Sequence, residues 1–274
     1  MNIQDRKFIS PGAWFSLIYP KEWNEFEDTE DSFLFYNPNK WSGNFRISAF
    51  KADSKEPDAM RYGEDAVKDE LKNNAEARLV KVGKWDAAYS SETFQEEGEW
   101  YTSHVWIMGE SNLSLECSFT VPRTEDIKIA EEILNTIEVR KEEVHRSIEI
   151  IPIRVLEIGT VNEAFEWASS TIKKLLKKDF TASLEDVEKI QQIIDSENFK
   201  AQLREVWESI GISFGAILVN EIEGMEWVTV VDNKKEYPAL CYKNGELIVY
   251  PMQLIWEKKK VGEHCDLQME IAKF

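Results

Sequence analysis

Cysteine is scarce in this 274-residue chain, with Cys117, Cys241 and Cys265 as its only three. An odd number spaced so widely argues against a disulfide framework and for a reducing compartment, so the cytoplasm is the expected location. Histidine is as rare: His104, His145 and His264. None stands near a G-x-S-x-G elbow or a cysteine-protease signature, and no nucleophile–base pair is predicted. The glycine patterns that cradle phosphates are missing. His264-Cys265-Asp266 puts three ligand types in a row. Consecutive side chains diverge, however, and no second cluster completes a tetrahedron. Glu27-Asp28-Thr29-Glu30-Asp31 lacks the glycine and the alternation of a calcium loop. No catalytic, cofactor or metal site is therefore expected. Carboxylate pairs stay open, because 51 acidic residues always offer some plausible pair. Long apolar runs are absent too. None approaches the ~20 residues that cross a bilayer. The opening MNIQDRKFIS has no apolar stretch of the signal-peptide kind.

Positive charge is in short supply. Thirty-three basic residues face 51 acidic ones, a net charge of −18. Residues 1–145 hold 29 acidic and 17 basic residues, net −12, and the remainder hold 22 and 16, net −6. The densest basic runs, Lys173-Lys174 with Lys177-Lys178 and Lys258-Lys259-Lys260, fall on predicted helices among acidic neighbours. A nucleic-acid ligand is not expected without a basic face, nor is an anionic membrane surface. A basic protein partner is favoured, since opposite fields speed encounter; a purely solubilising role for the charge is the alternative.

What the chain does have is core material. Apolar residues make up 43% and aromatics 12%, with ten Trp, which a disordered chain would lack. The length suggests two domains. Strands are predicted over 14–19, 32–36 and 44–50, then a helix opened by Pro57, then strands over 78–82, 85–94, 99–108 and 112–121. In the last, Leu113, Leu115, Cys117, Phe119 and Val121 alternate with Ser114, Glu116, Ser118 and Thr120, the mark of an antiparallel strand with one wet face. Thr124 is the expected cap of a helix carrying Ile127, Ala130, Ile133, Leu134 and Ile137. The expected fold class is α+β, with an N-terminal antiparallel sheet covered on one face by two helices.

Residues 142–147 are the expected linker between domains 1–141 and 148–274. The second half should pack helices on a small antiparallel sheet. Thr160 with Glu163 reads as a capping box, and Ser183 with Asp186 is expected to open a second helix. A third helix is expected from Phe199 to about Val219. Gly211 and Gly215 lie one turn apart on it and each costs ~1 kcal/mol relative to Ala, which implies close approach of another backbone. Lys243-Asn244-Gly245 signals a hairpin, Pro251 opens a further helix, and the terminal LQMEIAKF is expected as an edge strand.

Two resemblances extend this picture. In ISPGAWFSLIYPKEW, the residues Phe15, Ile18, Tyr19, Pro20 and Trp23 resemble the opening of PsbP-like domains. Over about 160–263, Gly211, Gly215, Trp227, Pro238, Ala239, Leu240 and Pro251 resemble an uncharacterised bacterial domain family. That resemblance implies, by analogy with small domains found near contact-dependent toxins, an immunity or inhibitor role.

The candidate partner-binding residues are Trp23, Glu25, Glu27, Asp28, Glu30, Asp31 and Trp41. The first six belong to an acidic segment with Trp23 and Phe26 interspersed, either a binding surface with aromatic anchors or a surface loop with its aromatics tucked inward. Trp41 stands on a turn and has the same two options. A non-catalytic protein-binding module is the expectation, with an unrecognised carboxylate enzyme or a structural adaptor as the other possibilities.

Overall fold

Period-two apolar stretches and helical stripes close into two compact units, Met1–Ser147 and Ile148–Phe274. The computed structural model describes residues 6–29, 31–53, 55–141, 144, 146–196, 198–233 and 235–274, without the side chains of 27, 28 and 244. Of the expected linker, Glu142, Glu143 and His145 lie outside the described residues.

The first unit runs β1 (Arg6–Ile9), β2 (Phe15–Tyr19), β3 (Asn24–Thr29), β4 (Ser32–Tyr36), β5 (Asn44–Lys51), α1 (Tyr62–Asn73), β6 (Arg78–Val82), β7 (Trp85–Glu96), β8 (Glu99–Glu110), β9 (Leu113–Pro122), α2 (Lys128–Leu134) and β10 (Glu138–Val139). A seven-stranded antiparallel sheet has the order β3-β4-β5-β9-β8-β7-β6, and a small sheet has the order β1-β2-β10. The core lies between them. Phe8, Phe15, Leu17 and Tyr19 of the small sheet meet Phe33, Phe35, Phe45, Ile47, Leu115, Cys117 and Phe119 of the large one. The Phe8 ring centroid lies 4.9 Å from that of Phe33 and 5.2 Å from that of Phe35. Each phenylalanine buried in this way is worth roughly 1.5–3 kcal/mol. The alternation in β9 holds: Leu113, Leu115, Cys117, Phe119 and Val121 are all at most 2% exposed.

Three local expectations give way. The acidic segment forms a strand, β3, at the sheet edge. The helix read from Thr124 begins at Lys128, whose N–H donates to Asp126 Oδ1 at 3.1 Å. The helix read from Pro57 begins at Tyr62, after a 3-10 turn over Ala59–Arg61. Nor do the two helices share a face. α2 packs against β2 on the core side. A Cβ on Gly109 of β8 would lie 2.5 Å from Gly63 Cα of α1. Gly109 alternates with the core residue Met108, so α1 crosses the opposite face of the large sheet.

The second unit runs β11 (Glu149–Pro152), α3 (Val155–Leu176), α4 (Asp186–Asp195), α5 (Arg204–Glu221), β12 (Met225–Asp232), β13 (Lys235–Tyr242), β14 (Leu247–Val249), α6 (Pro251–Val261) and α7 (Leu267–Ile271). Its four strands pair antiparallel in sequence order. Among the described residues the chain thus holds seven α-helices and three antiparallel sheets, an α+β fold. Ile172, Val187, Ile190, Ile194, Trp207, Ile210, Phe214 and Ile217 form the helical core. Gly211 admits another backbone, as its place implied, whereas Gly215 admits side chains. A Cβ on Gly211 would meet Pro251 O at 2.0 Å, and one on Gly215 would meet the Trp227 ring at 2.7 Å. Thr160 does not open a helix. α3 begins five residues earlier, and the Thr160 hydroxyl donates back to Leu156 O at 3.4 Å. Ser183 does not cap α4, which begins three residues later at Asp186 without a side-chain cap bond; the Asp186 carboxylate accepts the Ser183 N–H at 3.2 Å. The terminal segment is the helix α7, capped by Asp266, which accepts the Met269 N–H at 3.1 Å.

Candidate functional site

The expected partner residues separate. Trp23 is 1% exposed. A tight turn, with Trp23 N–H donating to Pro20 O at 3.0 Å, swings its indole into the core, so it is not available to a partner. Glu25 is half-buried on β3, which pairs with β4. Its charge adds to burial in pushing the Tyr19 hydroxyl up to about 12. Glu27 and Asp28 belong to β3, and Glu30 lies outside the described residues. Asp31 takes a left-handed φ of 58° in the β3–β4 turn, and its carbonyl accepts the Ala49 N–H at 2.9 Å. Trp41, in the β4–β5 loop, is 44% exposed.

Trp41 has company that sequence spacing did not reveal. Its ring lies edge-on to Tyr101 of β8, 5.8 Å between centroids at 82°. Tyr101 in turn stacks on Phe94 of β7 at 5.8 Å and 29°. Phe94 and Tyr101 are paired across the β7–β8 hairpin, so register alone places them together. Trp100, 50% exposed, alternates with Tyr101 and stands on the other face of the same hairpin end. The end of the long hairpin is therefore aromatic on both sides. Glu92, Glu96, Glu97 and Glu99 surround it, all exposed, with no basic residue between 92 and 101. Glu97 and Gly98 make the turn with φ of 51° and 91°. The signal in the sequence was the run FQEEGEWY, in which aromatics bracket an acidic turn.

Reactive groups elsewhere are held quiet or structural. His104 Nδ1 lies 2.7 Å from the Tyr89 hydroxyl, and burial lowers its pKa. Burial raises the pKa of the Cys117, Cys241 and Cys265 thiols, away from the thiolate form. Arg154, 1% exposed, donates to Glu157 and Glu236 at 2.9 Å each, and Thr229 Oγ1 donates to Glu157 at 3.0 Å. That network ties the start of α3 to β12 and β13. Among the described residues no group of three or more His, Cys, Asp or Glu side chains could hold a metal ion, and no helix is long and apolar enough to cross a membrane.

An exposed aromatic hairpin end with an acidic rim, on an antiparallel sheet, defines a chain whose candidate site is a surface. The chain belongs to the family described as Domain of unknown function (DUF3805), whose model matches residues 3–162. A second model, Domain of unknown function (DUF3806), matches residues 186–270. The two matches fall on N- and C-terminal parts, in keeping with a two-domain layout. No curated protein matches the chain. It is similar to a protein from Bacteroides thetaiotaomicron VPI-5482 of known crystal structure, 52% identical over 99% of this chain and 98% of that chain, with a TM-score of 0.93. LpqN of Mycobacterium tuberculosis, described as involved in cell envelope biogenesis, is 13% identical over 52% of this chain and 93% of that one. Its TM-score of 0.31 carries no argument.

Proposed function

We propose that this is a cytoplasmic, non-catalytic binding protein whose first unit captures a basic protein at the end of the β7–β8 hairpin. The observation that carries this is an exposed indole on each side of the hairpin end, Trp41 and Trp100 at 44% and 50%, with four exposed carboxylates on the hairpin between them. Large aromatics left in water supply contact area at low entropic cost. The carboxylates, within a chain of net charge −18, draw a cationic partner and repel an anionic one. A basic toxin is the partner that the resemblance of the second half suggests, with neutralisation as the outcome.

The test is kinetic. A captured partner should associate more slowly with E96Q/E97Q/E99Q than with the parent chain, and its association should lose much of its salt dependence. Screening over ~10 Å at 0.1 M salt makes the measurement direct. Association rates that ignore both the substitutions and the salt would remove the electrostatic half of the proposal.

A further inference from the structure

The second unit contains a cleft unrelated to the hairpin surface. It has a volume of about 320 Å³ and lies between the ends of α4 and α6 and the start of α5, lined by Asp195, Phe199, Trp207, Lys259 and Glu263 among others. That size is at the lower end of the ~300–1,000 Å³ typical of small-molecule sites. Trp207 is 1% exposed and fixed by its indole N–H, which donates to Lys200 O at 3.1 Å. Phe199 meets it edge-on at 6.3 Å and 87°. The half-buried Phe199 ring is thus the apolar wall of the cleft, backed by the buried Trp207.

The charges on the cleft are of both signs. Lys259 Nζ donates to Ile194 O at 2.6 Å and lies 5.1 Å from the Trp207 ring centroid. An ammonium has three donors, so two are left without an acceptor among the described residues. Asp195 is positioned by Gln191, whose amide donates to both carboxylate oxygens at 3.0 Å. His264 Nε2 stands 3.6 Å from Asp195 Oδ1. Glu263 is fixed at the backbone, its N–H donating to Lys258 O at 2.8 Å in the α6 cap. A simple anion would meet two carboxylates here, and a simple cation would meet Lys259. A ligand carrying a carboxylate and an ammonium on one carbon, with an apolar side chain, satisfies all three walls.

We propose that this cleft binds a free α-amino acid with an apolar side chain. Its carboxylate goes to Lys259, its ammonium to Asp195 and Glu263, and its side chain to Phe199, which Trp207 backs. The test uses the full chain, calorimetry and the Trp207 indole N–H resonance, with L-leucine, L-phenylalanine and L-tryptophan as probes. At least one free amino acid should bind and shift that resonance. Its N-acetyl and its amide derivatives, each lacking one charge, should bind at least about tenfold more weakly, since each loses a charge-assisted contact. Lys259→Met should lose binding, while Lys259→Arg keeps the cation and retains it, which separates ligand contact from the structural bond to Ile194. The D195N/E263Q variant should weaken the free amino acid but leave the N-acetyl form unchanged. No binding by any of the three at roughly 10 mM, a range weaker than useful recognition, would overturn the proposal. So would blocked forms that bind as well as the free one, or a Lys259→Met variant that binds normally.

Discussion

Replacing Gly211 by Ala sets two physical effects against each other, and the structure says which wins. Helix propensity alone favours Ala in the middle of α5 by ~1 kcal/mol. The added methyl, however, would lie 2.0 Å from Pro251 O and 2.8 Å from its carbonyl carbon, with Met252 Cα at 3.2 Å. Those are backbone atoms at the start of α6, so no side chain can rotate away; the helix must move. Overpacking of this kind costs typically 1–3 kcal/mol and occasionally more. A forced shift of a packed helix belongs at the upper end, so a net loss of about 2 kcal/mol remains after the propensity gain. Gly159 is the internal control. It is also helical, in α3, but a Cβ there meets nothing within 4 Å. Gly159→Ala should therefore stabilise by ~0.5–1 kcal/mol. Urea unfolding followed by circular dichroism measures both. A Gly211→Ala chain as stable as the parent, or both variants moving in the same direction, would show that the α5–α6 contact is not as tight as described.

Other consequences follow from the charges and the surface. Arg154→Met should destabilise by about 3–5 kcal/mol, because it leaves Glu157 and Glu236 buried without their cation; a urea midpoint within error of the parent would contradict this. The Asp186 carboxyl is held below its usual pKa: burial works against the charge, but bonds from Lys189, Thr181 and Ser183 outweigh it. A depressed folded-state pKa contributes stability above the unfolded value of ~3.9, and that stability is lost as pH falls through the lower folded value. Asp186→Asn should thus flatten the acid limb of the stability–pH curve, which melting temperatures across that range would reveal. Trp41→Ala should leave the melting temperature nearly unchanged, since the side chain is 44% exposed and surface changes are usually within ~0.5 kcal/mol; Trp23→Ala, from the core, should cost roughly 3–5 kcal/mol.

Much of the fold was legible because its signals were local. The β9 alternation and the Asn-Gly hairpin each rest on residues a few positions apart. β3 was hidden because Glu25, Glu27 and Asp28 have poor strand propensity; pairing with β4 overrides it. Thr160 was a decoy, since a Ser/Thr-x-x-Glu pattern also occurs inside helices, where the hydroxyl bonds back one turn. The short α7 carries too few residues to separate helical from strand spacing. At the candidate site, Trp41 was found from its turn. Phe94 and Tyr101 were not, because only the strand registers bring them to the β4–β5 loop, and Trp100, on the other face of the hairpin end, was not either. Trp23 and Trp41 look alike in sequence, and only the tertiary fold buries one and exposes the other.

The central claim is that the hairpin end is a binding surface. Affinity capture from the native lysate with the parent chain and the W41A/W100A variant in parallel, at low and high salt, followed by titration of the captured protein, tests it most directly. A basic protein should be held by the parent chain at low salt and released at high salt. The variant should bind it at least about 30-fold more weakly, as expected for loss of a single aromatic hot spot of ~2 kcal/mol. Equal binding by the parent and the variant at low salt would contradict the account.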